Sequence, residues 1–164
     1  MNPLRVYFDA SVFGGCFEDR FERGSKALFE AVRGKRMVPL ISDMLIAELA
    51  RAPRRVQDVL SEVLRGGSFE RLEAGDVTAA LQEAYLSAGV VTENYADDAL
   101  HVAHATLAKA DVVVSWNFKH LVHPARVRAF NAVNVQNGYG AVIILTPDDV
   151  VGILEEGNED ADEA

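Results

Sequence analysis

One cysteine, Cys16, stands in the 164 residues of the chain, so no disulfide can form within it. Nor is there an uninterrupted apolar stretch near the roughly 18 to 20 residues that a membrane helix needs; the longest candidate, Ala141 to Leu145, is strand-sized. A basic, then apolar, then small-residue leader is missing too, because Arg5 and Asp9 interrupt the first apolar run. These absences predict a cytoplasmic protein without membrane contact. Bases are scarce: 16 Lys and Arg face 25 Asp and Glu, a net charge of −9. Glu155, Glu156, Glu159, Asp160, Asp162 and Glu163 supply six of those negatives and leave the rest of the chain near −3. Such a balance argues against a broad basic surface for duplexes, without excluding a nucleic-acid substrate. No glycine-rich phosphate loop occurs. Ser11 and Ser115 lack a nucleophile-elbow context, and Cys16 has no evident activating base.

What is present reads as alternating strands and helices. Leu4 to Phe8, Met37 to Ile41, Val112 to Ser115 and Ala141 to Leu145 are short apolar runs without strict alternation, the pattern of parallel strands covered on both faces. Val56, Val59, Leu60, Val63 and Leu64 recur at helical spacing, as do Val77, Ala80, Leu81, Ala84 and Ala88. The first of these helices closes at Gly66 and Gly67; the second opens at Asp76 and closes at Gly89. Ser42 caps a helix through Ala50, Thr92 caps one running to about Lys109, and Thr146 with Pro147 opens the last. Phe69 to Leu72 reads as a small extra strand. The length suits one domain that buries roughly 70% of its unfolded surface. No solenoid repeat appears. The expectation is an α/β protein, a three-layer α/β/α sandwich with a central, mainly parallel sheet. It spans residues 1–154, and an acidic tail, 155–164, is too poor in apolar residues to order itself.

Acidic residues fall where this pattern predicts few. Asp9 directly follows the first strand, and in open parallel sheets ligands bind beyond the carboxyl ends of the strands. Its ordinary alternative is to cap the next turn. Glu48 lies among Leu45, Ile46, Ala47, Leu49 and Ala50, just past the second strand, whereas the helix dipole accounts for Asp43. Asp97 and Asp98 open a helix whose remainder is apolar nearly all round, so one of them faces inward or into a cleft. Asn117, in the segment Ser115 to His120, follows the Val112 strand and offers a neutral oxygen ligand or a hydrogen bond. Asp9, Glu48, Asp98 and Asn117 come from four separate segments and converge only if the sheet is wound as read. Their oxygen donors suit Mg²⁺ or Mn²⁺, ions that can hold a phosphodiester and strengthen a water nucleophile. Asp97, Ser11, Ser115 and His120 are candidates for supporting positions around them.

At these residues the chain resembles the PIN-domain family, which includes the ribonuclease toxins of VapBC-type toxin and antitoxin pairs. Val6 to Val12, with Asp9, resemble the family's opening strand and its aspartate; Ile46 to Leu49 resemble its glutamate segment; Asp98 to Ala105 resemble its aspartate-alanine helix. The resemblance implies divalent-metal-dependent cleavage of RNA, probed best with single strands, an antitoxin partner and a homodimer. Ser115 and Asn117 fit the family's threonine-or-serine and asparagine positions, but His120 stands where a further aspartate is common. Two other readings stay open. One is a PIN-like module that binds RNA or protein with weak or no turnover. The other is a transition-metal protein built on the pairs His101 with His104 and His120 with His123, with Asp97 one turn before His101.

Overall fold

The computed structural model describes residues 2–163, with side chains described through Asn158. Five strands form one sheet in the order β3-β2-β1-β4-β5, and every pairing is parallel. They are β1 (Leu4–Phe8), β2 (Met37–Ser42), β3 (Glu70–Leu72), β4 (Val112–Val114) and β5 (Ile144–Leu145). The chain winds from β1 outward through β2 to β3, then returns to the other side of β1 for β4 and β5. Strand order therefore reverses between β1 and β4, the place where such sheets open a crevice at their carboxyl ends.

Side-chain alternation explains why the strands read as continuous apolar runs. Val6 and Phe8 of β1, with Val112 and Val114 of β4, enter one core; Tyr7 and Val113 enter the other. The first core is closed by α2 (Glu22–Arg33) with Leu28 and Phe29, α4 (Arg54–Gly66) with Val56, Leu60 and Val63, and α8 (Pro147–Glu163) with Val150. The second is closed by α5 (Asp76–Ser87) with Leu81 and Tyr85, α6 (Ala96–Leu107) with Val102, and α7 (Pro124–Gln136) with Phe130 and Val133. The result is the three-layer α/β/α sandwich predicted from the sequence.

Two shorter helices, α1 (Ala10–Gly14) and α3 (Asp43–Leu49), leave the carboxyl ends of β1 and β2 and carry the next residues of interest. Ser42 caps α3 as expected, its Oγ accepting the Leu45 N–H at 3.2 Å. Gly67, at φ 74°, ends α4 in the left-handed conformation that glycine tolerates. Some boundaries differ from the sequence reading. Gly75 takes the cap position expected for Asp76, and the Thr92 helix begins as a 3₁₀ turn (Glu93–Tyr95) before α6. β5 is only the last two residues of its apolar run. Helix α8 continues across Glu155–Glu163, where the sequence predicted no regular structure. Thr146 and Pro147 nucleate it and Val150 anchors it, after which each further residue extends a helix whose costly nucleus has already formed. Residues 155–158 are exposed throughout. Among the described residues, no helix is long and apolar enough to cross a membrane.

Candidate active site

The crevice at the β1/β4 reversal is a cleft of about 310 Å³ lined by Asp9, Ala10, Ser11, Glu48, Asp97, Asp98, His101 and Asn117. Four elements deliver these side chains. Asp9 is the first residue beyond β1, Glu48 is on α3, Asp97, Asp98 and His101 are on α6, and Asn117 follows β4. The three carboxylates and the amide expected to converge thus share one cleft, and Asp97 stands at its exposed margin.

Asp9 is 5% exposed and occupies the N-cap position of α1, yet its side chain makes no capping hydrogen bond. Instead Ser11 Oγ donates to Oδ1 at 2.6 Å and Ser115 Oγ donates to Oδ2 at 2.6 Å. Both hydroxyls are themselves fixed: Ser11 Oγ accepts the Trp116 N–H and Ser115 Oγ accepts the Asn117 N–H, each at 2.9 Å. Burial raises the Asp9 pKa, opposed by the nearby His101 and by the two serine bonds.

Asp98 is half-buried and its carboxyl is pushed up to about 6, mainly by burial, with Asp9 and Glu48 adding repulsion and His101 opposing it. Asn117 Nδ2 faces Asp98 Oδ1 at 3.4 Å. Asn117 Oδ1 accepts the His120 backbone N–H at 3.0 Å, and this fixes the amide so that nitrogen points at the carboxylate. Of the two roles expected for Asn117, ligand or hydrogen-bonding group, the geometry is that of a donor to Asp98, with its oxygen engaged by the following turn.

Glu48 is held from behind. Its Oε1 lies 2.8 Å from His101 Nε2, while His101 Nδ1 lies 2.5 Å from the Tyr7 hydroxyl, which in turn meets Ser42 Oγ at 2.8 Å. Burial works against a charge on His101, but the Glu48 bond and the Asp9 and Asp98 charges together raise its pKa. Sequence reasoning placed His101 only among core or histidine-metal candidates. The usable signal was spacing, because three residues past Asp98 is the same face of α6.

The remaining histidines do not gather around it. His104 is buried and stacked on Tyr7 at 6.3 Å, with its pKa lowered chiefly by burial and then by His101. His120 does not line the cleft; its ring lies 3.8 Å from that of Tyr95, and burial, then Lys119 and Arg126, lowers its pKa. His123 Nδ1 caps α7 by accepting the Ala125 N–H at 3.2 Å. Among the described residues, no three His, Cys, Asp or Glu side chains form a ready-made metal cage. Asp43, left to the helix dipole by the sequence, pairs with Arg71 at 2.8 Å.

No family model matches the chain, and no curated protein matches it in sequence. Solved structures do. A chain from the crystal structure of VapBC2 from Rickettsia felis, bound to a DNA fragment from their promoter, is similar with a TM-score of 0.55 at 16% identity, covering 87% of this chain and 98% of that one. A chain of a toxin-antitoxin complex from Klebsiella pneumoniae gives 0.52 at 17% identity, covering 70% of this chain and 88% of that one. At these identities the likeness is one of architecture, and the chain has the PIN-like α/β sandwich fold shared with chains of those toxin-antitoxin complexes.

Proposed function

We propose that the chain is a divalent-metal-dependent endoribonuclease acting as the toxin of a toxin-antitoxin pair, with Asp9, Glu48 and Asp98 as its catalytic carboxylates. The observation that carries this reading is Asp9 itself: buried at the strand-order reversal, bound by two serine hydroxyls, and not used as a helix cap. A purely structural aspartate there would be expected to cap α1.

The donors fit Mg²⁺ or Mn²⁺. They are hard carboxylate oxygens in a cleft where burial and mutual repulsion already disfavour the charges of Asp9 and Asp98, so a cation would relieve both. Magnesium takes one or two carboxylates and fills its other positions with water and phosphate oxygen. When bound, such an ion supplies positive charge to phosphodiester oxygens and makes a water a stronger nucleophile. The protein's own part is positioning. Ser11 and Ser115 fix Asp9, Asn117 aims Asp98, and His101, backed by Tyr7, sets the orientation of Glu48. Asp97, exposed at the rim, adds negative charge there. An antitoxin partner belongs to the same reading, supported by fold likeness to chains of toxin-antitoxin complexes, and a homodimer is proposed with it on the family resemblance alone.

A second reading, a PIN-like module that binds without turnover, is favoured by His120, which meets Tyr95 instead of adding a further acid to the cleft. Cleavage of mixed single-stranded RNAs with Mg²⁺ or Mn²⁺ separates the two. Asp9→Asn keeps the side chain's size and removes its charge. It should lower the rate by about a hundredfold or more, equivalent to about 2.7 kcal/mol of transition-state stabilisation, with an unchanged circular dichroism spectrum. Undiminished cleavage by the variant refutes the mechanism, and a wild type that binds RNA but never cuts it, even in excess Mn²⁺, establishes the binding module.

A further inference from the structure

Next to the cleft the chain builds an aromatic step, one ring of which packing does not explain. Trp116, the only tryptophan in the sequence, is 6% exposed and locked in place: its Nε1 donates to Ser25 Oγ at 2.9 Å. It also lies so close to Gly15 and Gly24 that a Cβ on either would come within 2.8 Å of the indole. Phe21 stacks on it with centroids 4.4 Å apart and planes 18° from parallel. The Arg20 guanidinium covers the Phe21 ring at 4.5 Å. Phe118 stands beside them, 6.2 Å from Phe21 and 6.4 Å from Trp116, and is 50% exposed.

Burial accounts for Trp116 and much of Phe21 but not for Phe118, whose ring spends half its area on water. Phe118 also follows Asn117, whose amide lies in the cleft, so the ring is covalently tied to the site. Trp116, on the other side of Asn117, donates its N–H to the serine that holds Asp9. A rigid step of aromatic rings and one arginine, alongside a site for a phosphodiester, is what an unpaired nucleobase recognises. Bases stack on aromatic faces and on guanidinium planes whatever their sequence, while paired bases have no free face to offer.

We propose that Phe118, at the edge of the Phe21–Trp116 stack that Arg20 covers, is the base-stacking platform of the site: it takes an unpaired base flanking the phosphodiester in the cleft and so selects single-stranded RNA. The inference rests on the nuclease reading for its substrate class but not for its test. Trp116 is a built-in reporter, since a base stacking beside it quenches its emission.

Binding of a mixed-sequence 12-nucleotide single-stranded RNA carrying a terminal fluorescein is measured by fluorescence anisotropy in the Asp9→Asn background with Mg²⁺, where the strand stays intact, and Trp116 quenching is the second readout for the base-bearing strand. A ribose-phosphate 12-mer lacking all bases, labelled in the same way, is the second probe. Adding Phe118→Ala should weaken RNA binding about tenfold or more, leave binding of the abasic strand unchanged, and be rescued by Phe118→Tyr. Arg20→Gln should give a smaller loss in the same direction. With Asp9 intact, Phe118→Ala should raise KM for RNA while kcat stays within about twofold. Equal losses for RNA and the abasic strand overturn the platform, as does undiminished RNA binding. So does a variant that dissociates a dimer while each chain binds RNA as before, which makes Phe118 an interface between copies. Base-dependent quenching by a protein that never cuts RNA upholds the platform and refutes the hydrolytic reading alone.

Discussion

Replacing Asp98 with asparagine should stabilise the metal-free protein while destroying the activity proposed for it. The Asp98 carboxyl is pushed up to about 6, chiefly by burial and further by Asp9 and Glu48. From an ordinary aspartate value near 4, that is a free-energy difference of at most about 3 kcal/mol against the charged form. The cleft is open to water and the carboxylate half-buried, so screening reduces the figure to about 1 kcal/mol. Asparagine has nearly the same shape, keeps an oxygen toward Asn117 Nδ2, and carries no charge to be repelled. In EDTA at pH 7.5, Asp98→Asn should therefore melt about 2–4 °C above wild type. The sign with pH follows from linkage. The folded state binds the Asp98 proton more tightly than the unfolded chain, so wild-type stability from this group falls as pH rises from about 4 to about 6 and is flat above about 7. The advantage of the variant should consequently shrink as the pH is lowered through that window and vanish below about 4. Asp9 and His101 are present in both proteins, and their coupling to the Asp98 charge enters the difference together with Asp98 itself. In millimolar Mg²⁺ or Mn²⁺ the order should reverse, because the ion binds and stabilises wild type more. A variant that melts below wild type in EDTA, or a difference that does not change with pH, refutes the claim that Asp98 is held against repulsion.

Ser115→Ala removes one of the two hydroxyls on buried Asp9 and the acceptor of the Asn117 N–H. Catalysis should fall about ten- to a hundredfold, read from single-turnover RNA cleavage, with stability down by about 1–2 kcal/mol in chemical denaturation. Tyr85→Phe deletes a buried hydroxyl that bonds Thr106 and Asn134 on the far side of the sheet from α2. Asn134 Nδ2 still donates to Thr106 Oγ1, but the buried Asn134 Oδ1 loses its donor, so the loss should be about 1–3 kcal/mol, visible as a lower melting temperature at unchanged cleavage rate. Deleting residues 155–164 leaves intact the Arg36 bond to the Leu154 carbonyl and the Val150 anchor, so thermal stability should change little. A large drop in calorimetry would show that the acidic end of α8 packs.

The strands were legible because their chemistry is local. An all-parallel sheet covered on both faces demands apolar side chains at successive positions, and Val6-Tyr7-Phe8 and Val112-Val113-Val114 satisfy that demand in every residue. Helices with a clean stripe were legible for the same reason, and α4 runs to the glycines that closed it. α2 and α7 were not singled out. α2 does carry a local stripe, Leu28, Phe29 and Val32 at helical spacing, whereas the apolar residues of α7 are diluted by Ala, Asn and Arg, and what fixes that helix is the sheet face it covers, which no local window contains. The end of α8 shows the opposite error. Its composition cannot drive folding by burial, but a helix already nucleated at Thr146 and anchored by Val150 needs no further burial to continue.

The site divides along the same line. A carboxylate at the end of a strand, or in the first turn of an apolar helix, breaks a pattern and can be seen; Asp9, Glu48 and Asp98 all did so. What holds them cannot be seen that way, because Ser11, Ser115, Tyr7 and His101 are each unremarkable where they stand in the chain. Their value comes from registry across the sheet. Phe8 pairs with Val114, which places Ser115 beside Asp9 just beyond the strands; Tyr7 faces the opposite layer, where α6 presents His101. The same registry decides between the ligand and hydrogen-bonding roles that the sequence left open for Asn117, since the backbone of His120 engages its oxygen and its nitrogen faces Asp98. Charged groups that would act on substrate are therefore readable as exceptions in the sequence, whereas the neutral groups that aim them follow only from the fold. It is for this reason that Ser115→Ala, more than further carboxylate variants, tests whether the observed architecture is the one that works.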